Sequence, residues 1–229
     1  MYAVLFDLDG TLLDSKRTIL RCLNTALQEF GFETFGDDDL YSLIGMHLME
    51  ILELKGANRP EVAEKYTIIQ LETYQQDMTV YDGASSLLKR LHDSKYKLAA
   101  VTMRRSHIAL AVISGMGLGD YFDEVVGADE VSEPKPSAEH TLTACRGINT
   151  PPERCIMVGD SKFDMLSAKS AGCTAVGVTW GMGSTRELNQ NGADHIVDDF
   201  DELYELIIKI KDKREVGPPS NRKEEVILT

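Results

Sequence analysis

The chain has 229 residues, of which 43% are apolar and 27% are charged, so it can bury the core of one large domain or two small ones. No apolar run approaches the roughly 20 residues that a membrane span needs, and the apolar N-terminal stretch is too short for a signal peptide. The formal charge of −13 comes without a basic patch, which disfavours nucleic acid and anionic membrane surfaces as partners. We therefore expect a cytoplasmic protein with no nucleic-acid and no membrane partner.

The N-terminal part of the chain predicts one strand followed by helices. Residues 2–6 form an apolar run that is typical of a buried strand. Between residues 15 and 30, apolar residues recur at helical spacing, and Gly31 ends that helix. Three more helices are predicted to begin near residues 37, 46 and 60. Residues 15–78 should therefore be largely helical and contain no strand.

After residue 83, strands and helices alternate. Helices are predicted at 84–91, 106–113, 137–145, 162–171, 184–189 and 201–210, and strands at 97–102, 124–127, 155–158 and 174–178. This alternation indicates a parallel sheet with helices on both faces. We predict an α/β fold class, with a Rossmann-like parallel-sheet core (1–14 and 80–210), an inserted all-α segment (15–79) and a flexible tail (211–229).

Polar side chains follow the predicted strands, at the sheet edge where open α/β proteins bind ligands. Asp7 and Asp9 come after the first strand, Thr102 ends the second, Lys135 lies after the third, and Asp160 and Asp164 follow the fourth. We expect these four carboxylates, one hydroxyl and one ammonium to converge on one crevice.

This set of side chains suits phosphoryl transfer. Crowded carboxylates repel one another, and a hard divalent cation with oxygen ligands, most naturally Mg²⁺, relieves that repulsion. With the metal and Lys135 neutralising the phosphoryl oxygens, Asp7 can attack phosphorus as a nucleophile. Thr102 can donate a hydrogen bond to one of those oxygens. Asp9 can protonate the leaving oxygen and then deprotonate the water that hydrolyses the aspartyl phosphate.

The ordered motifs resemble those of the haloacid dehalogenase (HAD) superfamily over nearly the whole chain. They are Asp7-Leu8-Asp9-Gly10-Thr11, Thr102, Lys135-Pro136 and Gly159-Asp160-Ser161-x-x-Asp164. The resemblance implies a helical cap, a nucleophile at Asp7, an acid/base at Asp9, and Mg²⁺ held by Asp7, the Asp9 backbone carbonyl and Asp160. Asp164 would complete the metal site by supporting these ligands through hydrogen bonds. Asp9 also implies phosphate transfer, since the dehalogenases of this superfamily lack it.

Two motifs depart from the pattern of the family. After Thr102, these phosphatases usually have asparagine or another small polar residue, whereas this chain has Met103, whose backbone N–H can still face phosphate. Arg104 follows, and it either reaches a second anionic group on the substrate or is a solvated surface arginine. The third motif lacks its usual second proline, because Lys135-Pro136 is followed by Ser137-Ala138.

The cap is expected to select the substrate through its loop near residues 44–47. Gly45 would allow a tight turn over the site, and His47 is a candidate contact to the leaving group, with an exposed loop histidine as the alternative. The other histidines and Trp180 are expected to be structural, and the cysteines to be buried free thiols. The segment Val178-Thr179-Trp180-Gly181 is similar to phosphoglycolate phosphatases and related pyrophosphatases.

We therefore predict a Mg²⁺-dependent phosphatase that hydrolyses a small, phosphoglycolate-like metabolite through an aspartyl-phosphate. The expected substrate contacts are Thr102, Met103, Arg104, Lys135, Gly45 and His47. Two alternatives stay open: a phosphomutase of the same fold, similar to β-phosphoglucomutase, and a non-catalytic protein that binds a phosphorylated ligand. Phosphoglycolate, pyrophosphate, a sugar phosphate and a nucleotide all fit the sequence as substrates, as do a monomer and a homodimer.

Overall fold

A computed structural model describes residues 2–39, 43 and 45–216 of the chain. The strands are β1 (Ala3–Phe6), β2 (Leu13–Asp14), β3 (Thr79–Val80), β4 (Lys97–Val101), β5 (Glu124–Val126), β6 (Cys155–Gly159), β7 (Thr174–Val178) and β8 (His195–Val197). Six of them form a sheet in the order β5-β4-β1-β6-β7-β8, and every neighbouring pair in it is parallel. The direction of winding reverses between β1 and β6, which is where such sheets bind ligands.

Helices cover both faces of this sheet. The helices are α1 (Lys16–Glu29), α2 (Leu48–Glu53), α3 (Pro60–Thr73), α4 (Ala84–Asp93), α5 (Ser106–Gly115), α6 (Ala138–Gly147), α7 (Lys162–Ala171), α8 (Thr185–Gln190) and α9 (Phe200–Val216). Because side chains alternate along a strand, Val4 and Phe6 of β1 pack in the apolar cluster that includes α4, α5 and α9. Ala3 and Leu5 pack on the opposite face with α6, α7 and α8. The predicted α/β core is confirmed.

The described residues between β2 and β3 are largely helical, as predicted. They have an apolar cluster of their own, in which Leu27 of α1 and Val62 of α3 are fully buried. The helix predicted near residue 37 begins as a 3₁₀ turn, Asp37–Asp39, and residues 40–42 and 44 of that stretch lie outside the described part of the chain. The chain enters and leaves this segment through the antiparallel pair β2–β3, where Leu13 pairs with Val80. That position supports the proposed division into a core and a helical cap.

Other elements differ from the prediction. The prediction that β7 is the last strand is wrong, because β8 extends the sheet edge; it has three residues and begins with an exposed histidine, so it lacks a strand's apolar pattern. The two-residue strands β2 and β3 are too short to give any periodicity. The last helix, α9, continues to Val216, so the start of the predicted flexible tail is helical, and residues 217–229 lie outside the described part of the chain. No helix in that described part is both long and apolar enough to cross a bilayer.

Candidate active site

Asp7, Lys135 and Asp164 meet at the carboxyl edge of the sheet. Asp7 follows β1 directly, and its backbone N–H still donates to the Val158 carbonyl of β6 at 2.9 Å. Lys135, in the loop after β5, donates through Nζ to Asp7 Oδ1 at 2.7 Å and Asp164 Oδ1 at 2.6 Å. Its third bond, to the Val101 carbonyl, is 3.0 Å long. An ammonium has three donors, so the chain itself satisfies this buried cation.

His140 holds the loop that carries Lys135. Its Nδ1 accepts the backbone N–H of Lys135 at 3.4 Å, and its Nε2 lies 3.1 Å from the Val126 carbonyl. Burial and the nearby charge of Lys135 lower the pKa of His140 to about 4, so the ring is neutral at pH 7. With Nδ1 as acceptor, Nε2 carries the proton and donates to Val126. This geometry agrees with the structural role expected for His140.

Three buried carboxylates form a cluster with the chemistry of a metal site. Oxygen atoms of Asp7, Asp160 and Asp164 lie within 4.8 Å of one another. Burial raises the pKa of Asp7, although Lys135 opposes the rise. Burial and the charge of Asp164 raise the pKa of Asp160 to about 7. Both shifts mean that the ionised cluster needs more positive charge than Lys135 supplies, and a hard divalent cation with oxygen ligands fits that need.

Asp164 is already engaged through both of its oxygens. Its Oδ1 accepts from Lys135, and its Oδ2 accepts from the Ser161 backbone N–H at 3.0 Å and from the Ser161 hydroxyl at 2.6 Å. Asp164 is fully buried on the first turn of α7, where a carboxylate is favoured by the helix dipole. These bonds suit a residue that supports the neighbouring carboxylates, as the resemblance implies.

The loop of residues 181–183, which contains two glycines, packs against Asp160. Met182 donates its backbone N–H to Asp160 Oδ2 at 2.8 Å, and the Thr11 hydroxyl donates to Oδ1 at 3.3 Å. A Cβ on Gly181 would overlap the side chain of Asp160, and one on Gly183 would overlap its carbonyl oxygen. The loop can approach Asp160 this closely only because both positions are glycine.

Thr102 and Met103 lie where the second motif was predicted, at the end of β4. Thr102 is fully buried; its N–H donates to the Val126 carbonyl at 3.1 Å, and its Oγ1 accepts the backbone N–H of Arg104 at 3.2 Å. Met103 is partly exposed and lines the cavity above the site. Their contacts with a phosphoryl group stay predictions.

Arg104 pairs with Asp9, a contact that the sequence did not indicate. Its Nε donates to Asp9 Oδ2 at 2.7 Å and its Nη2 donates to Asp9 Oδ1 at 2.6 Å. Only 7% of Arg104 is exposed, so the alternative of a solvated surface arginine is wrong. Asp9 and Arg104 are far apart in sequence and on different loops, and no spacing rule links them.

A cavity of about 360 Å³ lies between the helical cap and the core. Asp7, Asp9 and Arg104 line its core side, and Gly45 and His47 line its cap side. Gly45 has φ of +82°, and a Cβ there would come within 2.6 Å of the Phe163 ring. The tight turn expected at this glycine is therefore present, and it packs directly on the core.

His47 has a local structural role in addition to its position on the cavity. Its Nδ1 accepts the backbone N–H of Met49 at 3.4 Å, and its own N–H donates to Glu50 Oε2 at 3.4 Å, so it caps the N-terminus of α2. The helix start holds the histidine at the cavity wall. A contact with the leaving group stays a prediction.

Tyr66 and Gln70 also line the cavity and were missed in the sequence. Gln70 donates through Nε2 to the Tyr66 hydroxyl at 2.5 Å. Together with Ala63 and Thr67, they recur at the spacing i, i+3, i+4, i+7 along α3, so they share one helix face. The recurrence of Tyr66, Thr67 and Gln70 on one face of α3 was the signal that could have identified them.

Trp180 and the cysteines are structural, as expected. Trp180 donates its ring N–H to the Thr11 carbonyl at 2.9 Å and packs on Phe200 with 4.4 Å between ring centroids. All four cysteines are free and buried.

Comparisons with known proteins agree with this fold and site. Residues 4–178 match the model of the family described as haloacid dehalogenase-like hydrolase. A phosphoglycolate phosphatase from Colwellia psychrerythraea is 31% identical over 212 residues, covering 87% of this chain and 94% of that protein. A pyrophosphatase PpaX from Listeria monocytogenes is 30% identical, covering 89% of this chain and 95% of that protein.

Among the solved structures that resemble this chain is that of a predicted phosphatase from Clostridium acetobutylicum. Its TM-score is 0.81 and its sequence identity is 28%, and the match covers 91% of this chain and 99% of that one. These matches confirm the predicted resemblance to the HAD superfamily, and several of the matched proteins are named as phosphatases. The chain belongs to the haloacid dehalogenase-like hydrolase family.

Proposed function

We propose that this chain is a Mg²⁺-dependent phosphatase that hydrolyses a small, phosphoglycolate-like phosphate ester through an aspartyl-phosphate on Asp7. The observation that carries the proposal is the buried contact of Asp7 with Lys135, beside Asp160 and Asp164, at the ligand-binding edge of the sheet. The names of the relatives, phosphoglycolate phosphatase and pyrophosphatase, support the same chemistry.

Asp7, Asp160 and, by the family resemblance, the Asp9 backbone carbonyl would hold Mg²⁺. When bound, the cation would supply positive charge to the cluster and to the phosphoryl oxygens. Lys135 supplies a fixed positive charge at the same place, since it lies 2.7 Å from Asp7 Oδ1. An anionic nucleophile can approach an anionic ester only where such charges are already in position.

In the first half of the reaction, an oxygen of Asp7 forms a bond to phosphorus while the bond from phosphorus to the leaving oxygen breaks. Asp9 gives a proton to that leaving oxygen. In the second half, a water oxygen forms a bond to phosphorus and the Asp7–phosphorus bond breaks, which releases inorganic phosphate. Asp9 takes the proton of that water, so that both residues return to their starting state. The cap segment encloses the cavity and limits access of other water.

Phosphate release from purified protein tests the proposal. Phosphoglycolate, pyrophosphate and an aryl phosphate are offered with Mg²⁺ or with a chelator, and Asp7→Asn serves as the control. We expect Mg²⁺-dependent release of phosphate from at least one ester by the wild type and none by the variant. Full activity of Asp7→Asn, or activity in excess chelator, would refute the mechanism. Isomerisation of a hexose 1-phosphate without release of phosphate would identify a phosphomutase instead.

A further inference from the structure

The pair Arg104–Asp9 is buried, unlike the other arginine–aspartate pairs of the described chain. The exposed fraction of the side chain is 5% for Arg104 and 15% for Asp9, and two parallel bonds of 2.7 and 2.6 Å join them. The pair Arg90–Asp201, by contrast, is 43% and 89% exposed. Desolvating a guanidinium and a carboxylate is costly, and bidentate geometry is the arrangement that best offsets the cost.

Within the described chain, the guanidinium of Arg104 has no acceptor besides Asp9. Its Nη1 is buried and makes no hydrogen bond, while Nε and Nη2 both donate to the Asp9 carboxylate. The edge formed by Nε and Nη2 is therefore occupied by Asp9. Nη1 and the second hydrogen of Nη2 form another edge, which makes no bond within the described chain, so binding of a substrate anion there is the competing role for Arg104.

Arg104 donates to both oxygens of Asp9, so it fixes the plane of that carboxylate. The remaining lone pairs of the two oxygens can still accept. Asp9 and Arg104 both line the cavity, so the carboxylate that Arg104 holds belongs to its wall. A fixed acceptor of this kind suits the second half of the proposed reaction, in which Asp9 takes a proton from water. Bonds to both oxygens suit the ionised carboxylate, whereas in the first half one oxygen of Asp9 carries the proton that it donates, so the pair bears on the second half of the reaction.

On the basis of the proposed function, we infer that Arg104 is a positioning residue, which orients the Asp9 carboxylate as the proton acceptor for hydrolysis of the aspartyl-phosphate. In that step, water oxygen bonds to phosphorus, the Asp7–phosphorus bond breaks with its electron pair returning to Asp7, and the water proton moves to Asp9.

Arg104→Met tests the inference, because a slower second half has a distinctive kinetic signature. When breakdown of a covalent intermediate becomes limiting, kcat and KM fall together and kcat/KM, which reports formation of the intermediate, is unchanged. We expect kcat to fall about 100-fold, the range for loss of a well-placed general base, with kcat/KM within about threefold of wild type. Acid quenching during turnover should show the variant largely as the phosphorylated chain by intact mass.

Two further variants control for folding and for charge. Arg104→Lys keeps the positive charge but makes no bidentate bond, so it should show the same signature at a smaller amplitude, about 10-fold in kcat. Arg90→Met removes an arginine–aspartate contact on the surface and should leave kcat and KM at their wild-type values.

Other outcomes would overturn the inference. A raised KM at unchanged kcat, in Arg104→Met or Arg104→Lys, would make Arg104 a substrate-binding residue. A lower kcat at unchanged KM, without phosphorylated chain, would make its role structural. If the wild type releases phosphate from no ester, the proposed function itself is refuted. If the wild type is active and a variant shows one of the two kinetic patterns above, only the role of Arg104 is refuted.

Discussion

Lys135 places its ammonium 2.7 Å from the Asp7 carboxylate, with only 1% of the lysine side chain and 9% of the aspartate side chain exposed. Although burial opposes the charged form of the lysine, Asp164 and Asp7 raise the pKa of Lys135 above its ordinary value. The lysine therefore serves as a fixed counter-charge for the carboxylate cluster.

Replacing this lysine should destabilise the metal-free protein strongly. Lys135→Met leaves three buried carboxylates without their cation, and breaking a buried pair typically costs about 3–5 kcal/mol of unfolding free energy. Lys169→Met removes an ammonium that also lies 2.6 Å from a carboxylate, that of Asp194, but is 44% exposed, so its cost should stay below about 1 kcal/mol. Urea unfolding in chelator measures both, and equal losses would contradict the prediction.

Stability without metal should depend on pH through Asp160. Its pKa is about 7 in the folded chain, against about 3.9 for an unfolded aspartate, so the folded state binds the proton more tightly. The stabilisation of the folded state by protonated Asp160 is full below about pH 4 and is lost as the pH rises through about 7. Mg²⁺ needs the ionised carboxylates, so its stabilising effect should grow over the same range.

Thermal unfolding between about pH 5 and pH 8, with Mg²⁺ or with chelator, measures both trends. In Asp160→Asn, the dependence on pH should flatten and the rise in Tm with Mg²⁺ should disappear. A wild-type Mg²⁺ effect that is the same at both ends of this range would contradict the assignment of Asp160.

The loop against Asp160 should tolerate no side chain. In Gly181→Ala, the new Cβ would overlap Asp160 and the Gly10 carbonyl oxygen, so Asp160 must move and Mg²⁺ affinity should fall about 10–100-fold. Gly119→Ala is the matched control, because the nearest heavy atom to its new Cβ, on Ser114, is 3.7 Å away. Mg²⁺ titration followed by calorimetry measures the affinity, and an unchanged value in Gly181→Ala would show that the loop does not hold Asp160.

Replacing Gly45 should reduce catalysis by more than the strain of its backbone alone explains. Gly45 and Gly56 have φ of +82° and +65°, so alanine strains both by about 1–2 kcal/mol. Only at Gly45 does the added Cβ meet a core side chain, Phe163, whereas nothing lies within 4 Å at Gly56. We expect kcat/KM to fall about 10-fold or more in Gly45→Ala alone. The same loss in Gly56→Ala would assign the effect to strain.

The sequence predicted the fold and the meeting of Asp7, Lys135, Asp160 and Asp164 because each rests on a local signal. The strand ahead of Asp7 and the strand ahead of Asp160 are buried apolar runs, and parallel strands bring their carboxyl ends to one edge. The Arg104–Asp9 pair could not be predicted in this way. Whether an arginine turns inward depends on the packing of the cap around it, and the sequence had left an inward and a solvated position equally open.

Short elements escaped prediction for a different reason. The strands β2 and β3 contribute two residues each, which is less than one alternation of the side-chain pattern. Their existence follows from pairing with each other, through Leu13 and Val80, and neither segment carries that information alone.

That pair has a consequence for how such a molecule diversifies. Leu13 and Val80 lie opposite each other, and the Tyr81 N–H donates to the Leu12 carbonyl at 3.0 Å. The chain therefore leaves the core and returns to it through one two-stranded connection. A helical segment attached in this way can be exchanged by rejoining the backbone at two adjacent positions. The loop with Asp7 and Asp9 leads directly into β2, and Lys135 and Asp160 come from loops after other strands, so the catalytic edge would keep its chemistry while a transplanted segment brought a different preference for the group being released.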